Sequence, residues 1–470
     1  MVGISSYSAY IPYHRLGKET QGWESGAEKA VANYDEDSIT MATAAAISCM
    51  KNIDRQRIDG LFFATTTSPY LQKQGASIIA EAADLRQDII ATDFTNSLRS
   101  GTSALRAAVD AIKADSAKKI AVTAADLRIP QPKSEFEPVF GDGGAAVIVS
   151  DTDVVAEIEG SYTLTDEIFD MWRATGETFV RSSEDRFAAE KGYLKIIPQV
   201  VKGVFDKYGC QTNDFNKIAF YAPNARRHKE MTRIMGFDPT QQVQDPLFGK
   251  VGNTGTSFAL LMLIAALDNA SPGDRILFVN YGDGADAFII RVTEEIQNRP
   301  EKFKSVERLI NLKRILPDYF TYVRWRSLMD FAPPVRRPPL DAPSPAALYR
   351  ERHQNLRLYG VKCNSCGYQQ YPPQRICSKC QAKDNFTPVR LSDKKATLFT
   401  YSHDHLGPTL DPPLSVCFLD IEGGGRMQSV ITDRMVEEIN IGMQLEMSFR
   451  KLYTVEGIHN YYWKCIPVRN

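Results

Sequence analysis

The chain has 470 residues, of which 43% are hydrophobic and 24% charged, and a formal net charge of −1. That length holds two or three domains and a large core, and the balanced charge removes the electrostatic footprint of a nucleic-acid partner. No apolar run reaches the roughly 18 residues of a membrane helix, and residues 1–4 run into a strand-like segment without a basic leader, so neither a membrane anchor nor a secretory signal is expected.

Four of the eight cysteines, Cys49, Cys210, Cys417 and Cys465, are scattered in apolar stretches and read as small core residues. The expected compartment is a reducing cytoplasm.

Residues 1–295 alternate strand-like and helix-like segments, the pattern of an α/β domain with helices packed on a sheet. Residues 37–51 (DSITMATAAAISCMK) read as an Ala-rich helix with Asp37 or Ser38 as N-cap. Residues 60–65 read as a buried strand and 74–84 as a helix. One supersecondary unit then occurs twice. The first copy runs Gly101-Thr102-Ser103, an apolar-rich helix, a strand at 119–125, and Gly141-Asp142-Gly143 opening another strand. The second runs Gly255-Thr256-Ser257, a similar helix, a strand at 275–281, and Gly282-Asp283-Gly284. Duplication of this kind predicts an internally symmetric core with a site where the halves meet. Residues 152–186 fit the repeat less well and are expected to form an insertion covering that site.

From 296 to 340 the composition shifts. Lys302, Lys304, Arg308, Lys313, Arg314, Arg324, Arg326, Arg336 and Arg337 sit among aromatics, and Pro333-Pro334 and Pro338-Pro339 follow. This reads as a basic, partly helical linker ending in a stiff proline segment. Residues 341–385 open with an amphipathic helix over 346–358 and hold Cys363-x-x-Cys366 and Cys377-x-x-Cys380, ten residues apart. Two such pairs present four thiolates to one ion, a closed tetrahedral zinc site with a structural role; a redox reading suits one pair far better than two. His403 and His405 read as strand-edge residues. Residues 386–470 read as five short strands, at 396–401, 414–421, 428–431, 444–450 and 461–467, with Gly423-Gly424-Gly425 as a tight hairpin turn, which suggests a small β-barrel of the OB type.

The segment 93–105 (DFTNSLRSGTSAL) reads as a strand turning into a helix, where backbone N–H groups at the helix N-terminus can hold an oxyanion. Enzymes that make or break carbon–carbon bonds beside a thioester need such donors, and many place a nucleophilic cysteine at this turn.

Residues 1–295 resemble the hydroxymethylglutaryl-CoA synthases of the thiolase superfamily. The resemblance rests on 3–15 (GISSYSAYIPYHR), 28–41 (EKAVANYDEDSITM), 97–102, 141–146 (GDGGAA), 170–173 (DMWR), Gly252-Asn253-Thr254 and 281–285. It implies a thiolase-like duplicated αβαβα core, an acyl-CoA substrate and a homodimer. Residues 340–470 resemble the zinc-ribbon/OB-fold partners of acyl-CoA thiolases and synthases, which help hold coenzyme A; here one is fused to the chain.

The family's nucleophilic cysteine, three residues before the glycine of the Gly-Thr turn, falls on Leu98. Its histidine falls on Tyr221 and its acid/base on Thr66, ahead of Pro69-Tyr70, while Asn253 keeps its identity. A slip of one residue would put Ser97 at the nucleophile position, without an evident base. Leucine forms no acyl-enzyme, so three readings stand. The first is an aldol or retro-aldol enzyme acting on an acyl-CoA, with Tyr221 as acid/base and Asn253 binding the oxygen. The second is a catalytically inactive structural or CoA-handling subunit complexed with a separate thiolase. The third is an acyltransferase using other residues. The bland alternatives are that Tyr221 fills the space of the histidine, that Asn253 caps a turn, and that Leu98 packs an apolar acyl tunnel.

Overall fold

The structure, a computed structural model, describes residues 1–298, 306–329 and 340–469. It divides into two compact units: Met1–Ala32, Asp37–Ala80 and Leu85–Tyr322 form the first, and Asn33–Glu36, Glu81–Asp84 and Val323–Asn470 the second. Among the described residues no helix is long and apolar enough to cross a membrane.

The first unit is built on a nine-stranded sheet. Its spatial order is Lys217–Phe220, Arg275–Tyr281, Gly284–Val292, Ala156–Thr165, Gly3–Tyr10, Gly143–Ser150, Lys119–Asp126, Gly60–Thr65 and Ile90–Thr95. The duplication is visible in the strand directions. Gly60–Thr65 runs parallel to Lys119–Asp126, which is antiparallel to Gly143–Ser150, itself antiparallel to Gly3–Tyr10. Lys217–Phe220 runs parallel to Arg275–Tyr281, which is antiparallel to Gly284–Val292, itself antiparallel to Ala156–Thr165. The two halves join through two residue pairs, Gly3–Glu157 and Ile4–Ala156.

The helices follow from their sequences. Ser38–Cys49 begins at a capping box: the Asp37 carboxylate accepts from Thr40 N (3.0 Å), and the Thr40 hydroxyl accepts from Asp37 N (2.8 Å). Its small side chains let nearly the whole helix be buried. Phe258–Leu267 (FALLMLIAAL) has no polar face, because it packs against strands of both halves. Ser100–Lys113 buries Gly101, Ala104, Leu105, Ala108 and Ile112. At Gly101 the halves touch: a Cβ there would stand 2.7 Å from the Thr256 carbonyl oxygen.

Two sequence expectations take a different form. Residues 156–165, expected within an insertion, are a strand of the core sheet. The segment AEIEGSYTLT alternates buried Ala156, Ile158 and Gly160 with Glu157 and Glu159, and Glu159 bonds Arg275 (2.8 Å) and Arg291 on nearby strands; the charges hid a half-buried strand. In the segment read as a linker, Val306–Asn311 is helical, Arg314–Ile315 pairs in parallel with His14–Arg15, and Leu316 and Tyr322 are buried. One of its basic residues, Lys313, pairs with Glu28 at 2.6 Å. Lys302, Lys304, Arg336, Arg337 and both proline pairs lie outside the described residues.

In the second unit Tyr359–Cys363 lies between Gln369–Gln370 and Phe386–Arg390. A five-stranded antiparallel sheet follows, in the order Arg426–Val430, Leu414–Ile421, Ala396–Asp404, Gln444–Val455, Ile458–Pro467. Its outer strands approach one another at a bridge between Ile431 and Cys465. Leu445, Met447 and Phe449 point inward, as their alternation with polar residues predicts. Gly423, Gly424 and Gly425 all take positive φ (88°, 118° and 94°), which is why the hairpin turn is triglycine. The helix expected over 346–358 is two short ones, Pro345–Arg350 and Arg352–Asn355, interrupted at Glu351.

Candidate active site and zinc ribbon

The two Gly-Asp-Gly turns reach across to the opposite halves. A Cβ at Gly282 (φ 158°) would lie 2.9 Å from Arg99 N and 3.2 Å from Leu98 Cβ; one at Gly141 would lie 1.9 Å from the Val251 carbonyl oxygen. Only glycine lets each turn close on its neighbour. Beside this junction opens a cavity of about 780 Å³, whose walls include Thr66, Leu98, Arg128, Asp170, Tyr221 and Tyr281.

Leu98 is partly buried and packs on the apolar core. It follows Asn96, whose φ of 72° makes the sharp turn from Ile90–Thr95 into Ser100–Lys113. Thr66 also reaches the cavity, but its hydroxyl is engaged, donating to Asp126 Oδ2 at 3.0 Å. Asp126 is fully buried and accepts further bonds from Thr66 N (2.7 Å), Thr256 N (2.8 Å) and the hydroxyls of Thr65 (2.9 Å) and Thr67 (3.0 Å). This carboxylate ties the first half's turn to the second half's Gly-Thr-Ser.

Tyr221 and Asn253 are brought together. Tyr221 ends the run out of Lys217–Phe220 and is 1% exposed; Asn253 is fully buried. The Asn253 amide nitrogen donates to the Tyr221 hydroxyl oxygen (3.1 Å) and the Ala222 carbonyl (3.2 Å), while its oxygen accepts from Arg128 Nη1 (3.0 Å) and Gly255 N (3.0 Å). All its polar atoms are therefore occupied within the protein. Asn253 was expected to help bind the substrate oxygen; in the structure its side chain bonds Tyr221, Ala222, Arg128 and Gly255. Tyr221 accepts from Asn253 with Arg128 alongside, and among the described residues its own O–H meets no protein acceptor. Burial raises its pKa, with the Arg128 guanidinium opposing, so the hydroxyl is a neutral donor at ordinary pH.

Three further residues shape the site, and no role for them was read from sequence. Arg128 is buried, stacks on the Phe140 ring (3.6 Å to its centroid) and bonds Asn253. Tyr193 donates to the Tyr221 carbonyl oxygen (3.0 Å). Tyr281 stacks on Tyr221 with centroids 6.2 Å apart and donates to Asp170 Oδ2 at 2.7 Å. The signals were the second repeat's Tyr281-Gly282 and the 170–173 stretch, which marked resemblance without a role.

The second unit holds the metal site. The Sγ atoms of Cys363, Cys366, Cys377 and Cys380 all lie within 4.8 Å of one another, with Cys363–Cys380 and Cys366–Cys377 at 3.6 Å. Sulfurs bound tetrahedrally to zinc at about 2.3 Å are about 3.8 Å apart, so the cluster fits zinc. Four cysteine ligands would leave no open position on such an ion.

Comparison with known proteins agrees with both units. Residues 354–386 match the ChsH2, rubredoxin-like zinc ribbon domain. The chain is 34% identical over 337 residues to the hydroxymethylglutaryl-CoA synthase of Pyrococcus furiosus, covering 69% of this chain and 96% of that protein. Among solved structures it is similar to PksG, a hydroxymethylglutaryl-CoA synthase from Bacillus subtilis, at TM-score 0.62 and 21% identity, covering 70% of this chain and 89% of the other. It is also similar to MvaS in complex with 3-hydroxy-3-methylglutaryl coenzyme A, at TM-score 0.61 and 20% identity, covering 72% and 94%.

Proposed function

The chain belongs to the hydroxymethylglutaryl-CoA synthase family, and from that membership we propose that it makes or breaks a carbon–carbon bond in an acyl-CoA by aldol or retro-aldol chemistry without an acyl-enzyme. One observation carries the reading. Leu98, at the position we align with the family's nucleophile, and Tyr221, with its O–H unclaimed, line the same cavity. A leucine cannot attack a thioester, whereas a neutral, preorganised phenol can hydrogen-bond an oxygen on which charge develops.

A coenzyme A thioester as substrate is supported by the family and by the CoA-bound relatives of the same fold. Asn253 and Arg128 hold the Tyr221 oxygen so that its proton faces the ligand. Leu98 supplies apolar wall where a thiol would otherwise stand. The zinc ribbon and the sheet after it, which we read as an OB-type barrel, act as a CoA-handling domain fused to the catalytic one.

We read the protein as a cytoplasmic homodimer. Ile90–Thr95 forms an open edge of the core sheet and is partly exposed along its length, leaving backbone groups for a second copy. A second reading, a non-catalytic subunit complexed with a separate thiolase, is favoured by the full engagement of Thr66 with Asp126. The domain limits that go with the proposal are a thiolase-like domain over 1–295, to which the described part of the 296–340 segment up to Tyr322 belongs, short helices and the ribbon over 341–385, and the barrel over 386–470.

The test is to incubate the purified chain with 3-hydroxyacyl-CoAs and follow the shortened acyl-CoA. Turnover by the chain alone supports the aldol reading; turnover only when a thiolase is added selects the subunit reading.

A further inference from the structure

Six carboxylates line the cavity, Asp126 lies behind it bonded to Thr66, and the structure distinguishes one of the six. Asp126 is saturated by five donors. Asp185 is paired with Arg227 and Glu177 with Arg181. Glu135, Glu167 and Asp283 are exposed. Asp170 is half-buried and, among the described residues, has no Lys or Arg within ion-pair distance. Its Oδ1 accepts from Met171 N at 2.6 Å and its Oδ2 from the Tyr281 hydroxyl at 2.7 Å. A carboxylate has about four lone-pair sites, so these bonds fix its orientation and leave half its capacity open. Tyr281 in turn stacks on Tyr221, which places Asp170 and the Tyr221 hydroxyl in one aromatic-walled site.

We infer that Asp170 is the proton-transferring carboxyl of this site and that Tyr281 is the residue that positions it. The inference rests on the aldol reading above and moves the acid/base role from Tyr221, whose raised pKa keeps it a neutral hydrogen-bond donor, to Asp170. In the cleavage direction the Asp170 carboxylate takes the proton of the β-hydroxyl. The Cα–Cβ bond breaks, its electron pair passes into the thioester as an enolate, and a carbonyl forms at Cβ. The Asp170 carboxyl then returns the proton to Cα, so atoms and charge balance without a further reactant. Tyr221 donates its hydrogen bond to an oxygen of the reacting group throughout.

The environment suits this task. Burial raises the Asp170 pKa, and the neighbouring charge of Asp283 adds to the rise, while the bonds from Tyr281 and Met171 oppose it. The titratable groups that face Asp170 are thus Tyr281, Asp283 and, across the ring stack, Tyr221. A carboxyl raised toward neutrality is a better proton shuttle than one in the ordinary range.

The experiment uses the full chain with carboxyl-labelled aspartate and infrared titration, Asp170 being assigned by the band lost in Asp170→Asn. Its band should titrate above those of exposed aspartates, rise further in Tyr281→Phe, which loses a bond to the carboxylate, and shift when 3-hydroxy-3-methylglutaryl-CoA is added. In parallel, Asp170→Asn should lower kcat for that probe at least 100-fold with KM within threefold of the parent. Tyr281→Phe should move the acid limb of the pH profile upward. A band that ignores the CoA ester, or an Asp170→Asn variant that cleaves like the parent, overturns the inference. If the parent protein does not cleave the probe yet the band shifts, the aldol reading fails while the placement of Asp170 at the acyl group stands.

Discussion

The side-chain amide of Asn253 donates a hydrogen bond to the phenolic oxygen of Tyr221 across 3.1 Å, joining residues 32 positions apart in one buried pair. Asn253 is itself locked by Arg128 and the Gly255 backbone. The pair therefore presents a fixed donor, the Tyr221 O–H, to the cavity. Tyr221→Phe deletes that donor and leaves the stack on Tyr281 and the edge-to-face contact with Phe258 in place. Acyl-CoA cleavage should fall by at least about 100-fold, with the melting temperature nearly unchanged. Steady-state kinetics and a thermal scan of the same preparation check both halves of the statement.

Leu98 gives a second expectation. Mixed with acetyl-CoA and quenched, the chain should show no acetyl adduct by intact-mass spectrometry, because no thiol stands at the turn. An adduct that maps to 97–102 would place a nucleophile there, with Ser97 the first suspect.

The contact between halves at Gly101 is open to a stability test. Gly101→Ala puts a Cβ 2.7 Å from the Thr256 carbonyl, inside backbone that cannot yield cheaply. Overpacking of this kind costs about 1–3 kcal/mol, to be read as a lowered denaturation midpoint. An unchanged midpoint would mean that the central helices are less closely apposed.

His228 predicts acid sensitivity. Its ring is stacked on Phe220 with centroids 4.3 Å apart, and among the described residues its Nε2 has no hydrogen-bond partner. Burial lowers its pKa to about 4, with Asp245 opposing. The folded state therefore binds the proton more weakly than the unfolded chain does. The stability this contributes is present above pH ~6.5 and is lost as the pH falls toward 4, by at most about 3 kcal/mol. His228→Phe should flatten that part of the stability–pH curve, measured by denaturant unfolding between pH 7 and pH 4.

For the ribbon, elemental analysis should find about one zinc per chain, and Cys377→Ser should lose it. Near-UV dichroism should then report changes in the second unit while the first keeps its unfolding transition.

Much of the architecture was legible because it is written in local chemistry. The Gly-Thr-Ser and Gly-Asp-Gly pairs disclosed the duplication, since glycine was required wherever one half closes on the other. The CxxC spacing disclosed the metal site, and alternation in residues such as Leu445, Met447 and Phe449 disclosed the C-terminal strands. Strand Ala156–Thr165 was hidden because Glu157 and Glu159 broke its apolar run, although Glu159 finds Arg275 and Arg291 on neighbouring strands.

The site was half legible. Tyr221 stood out because the resemblance aligns it with the family's histidine, but Asp170 and Tyr281 lie 111 residues apart and meet only in the fold. Asn253 was found, yet its role depends on four bonds that no spacing reveals.

Carbon–carbon chemistry on a CoA thioester without a covalent intermediate would leave a solvent deuterium in the product. The purified chain is incubated with a 3-hydroxyacyl-CoA in D₂O, and the products are resolved by mass spectrometry. The expected products are a carbonyl compound and a shortened acyl-CoA carrying one deuterium at Cα, with no free coenzyme A released. Release of free coenzyme A, or an intact substrate after prolonged incubation, would contradict it.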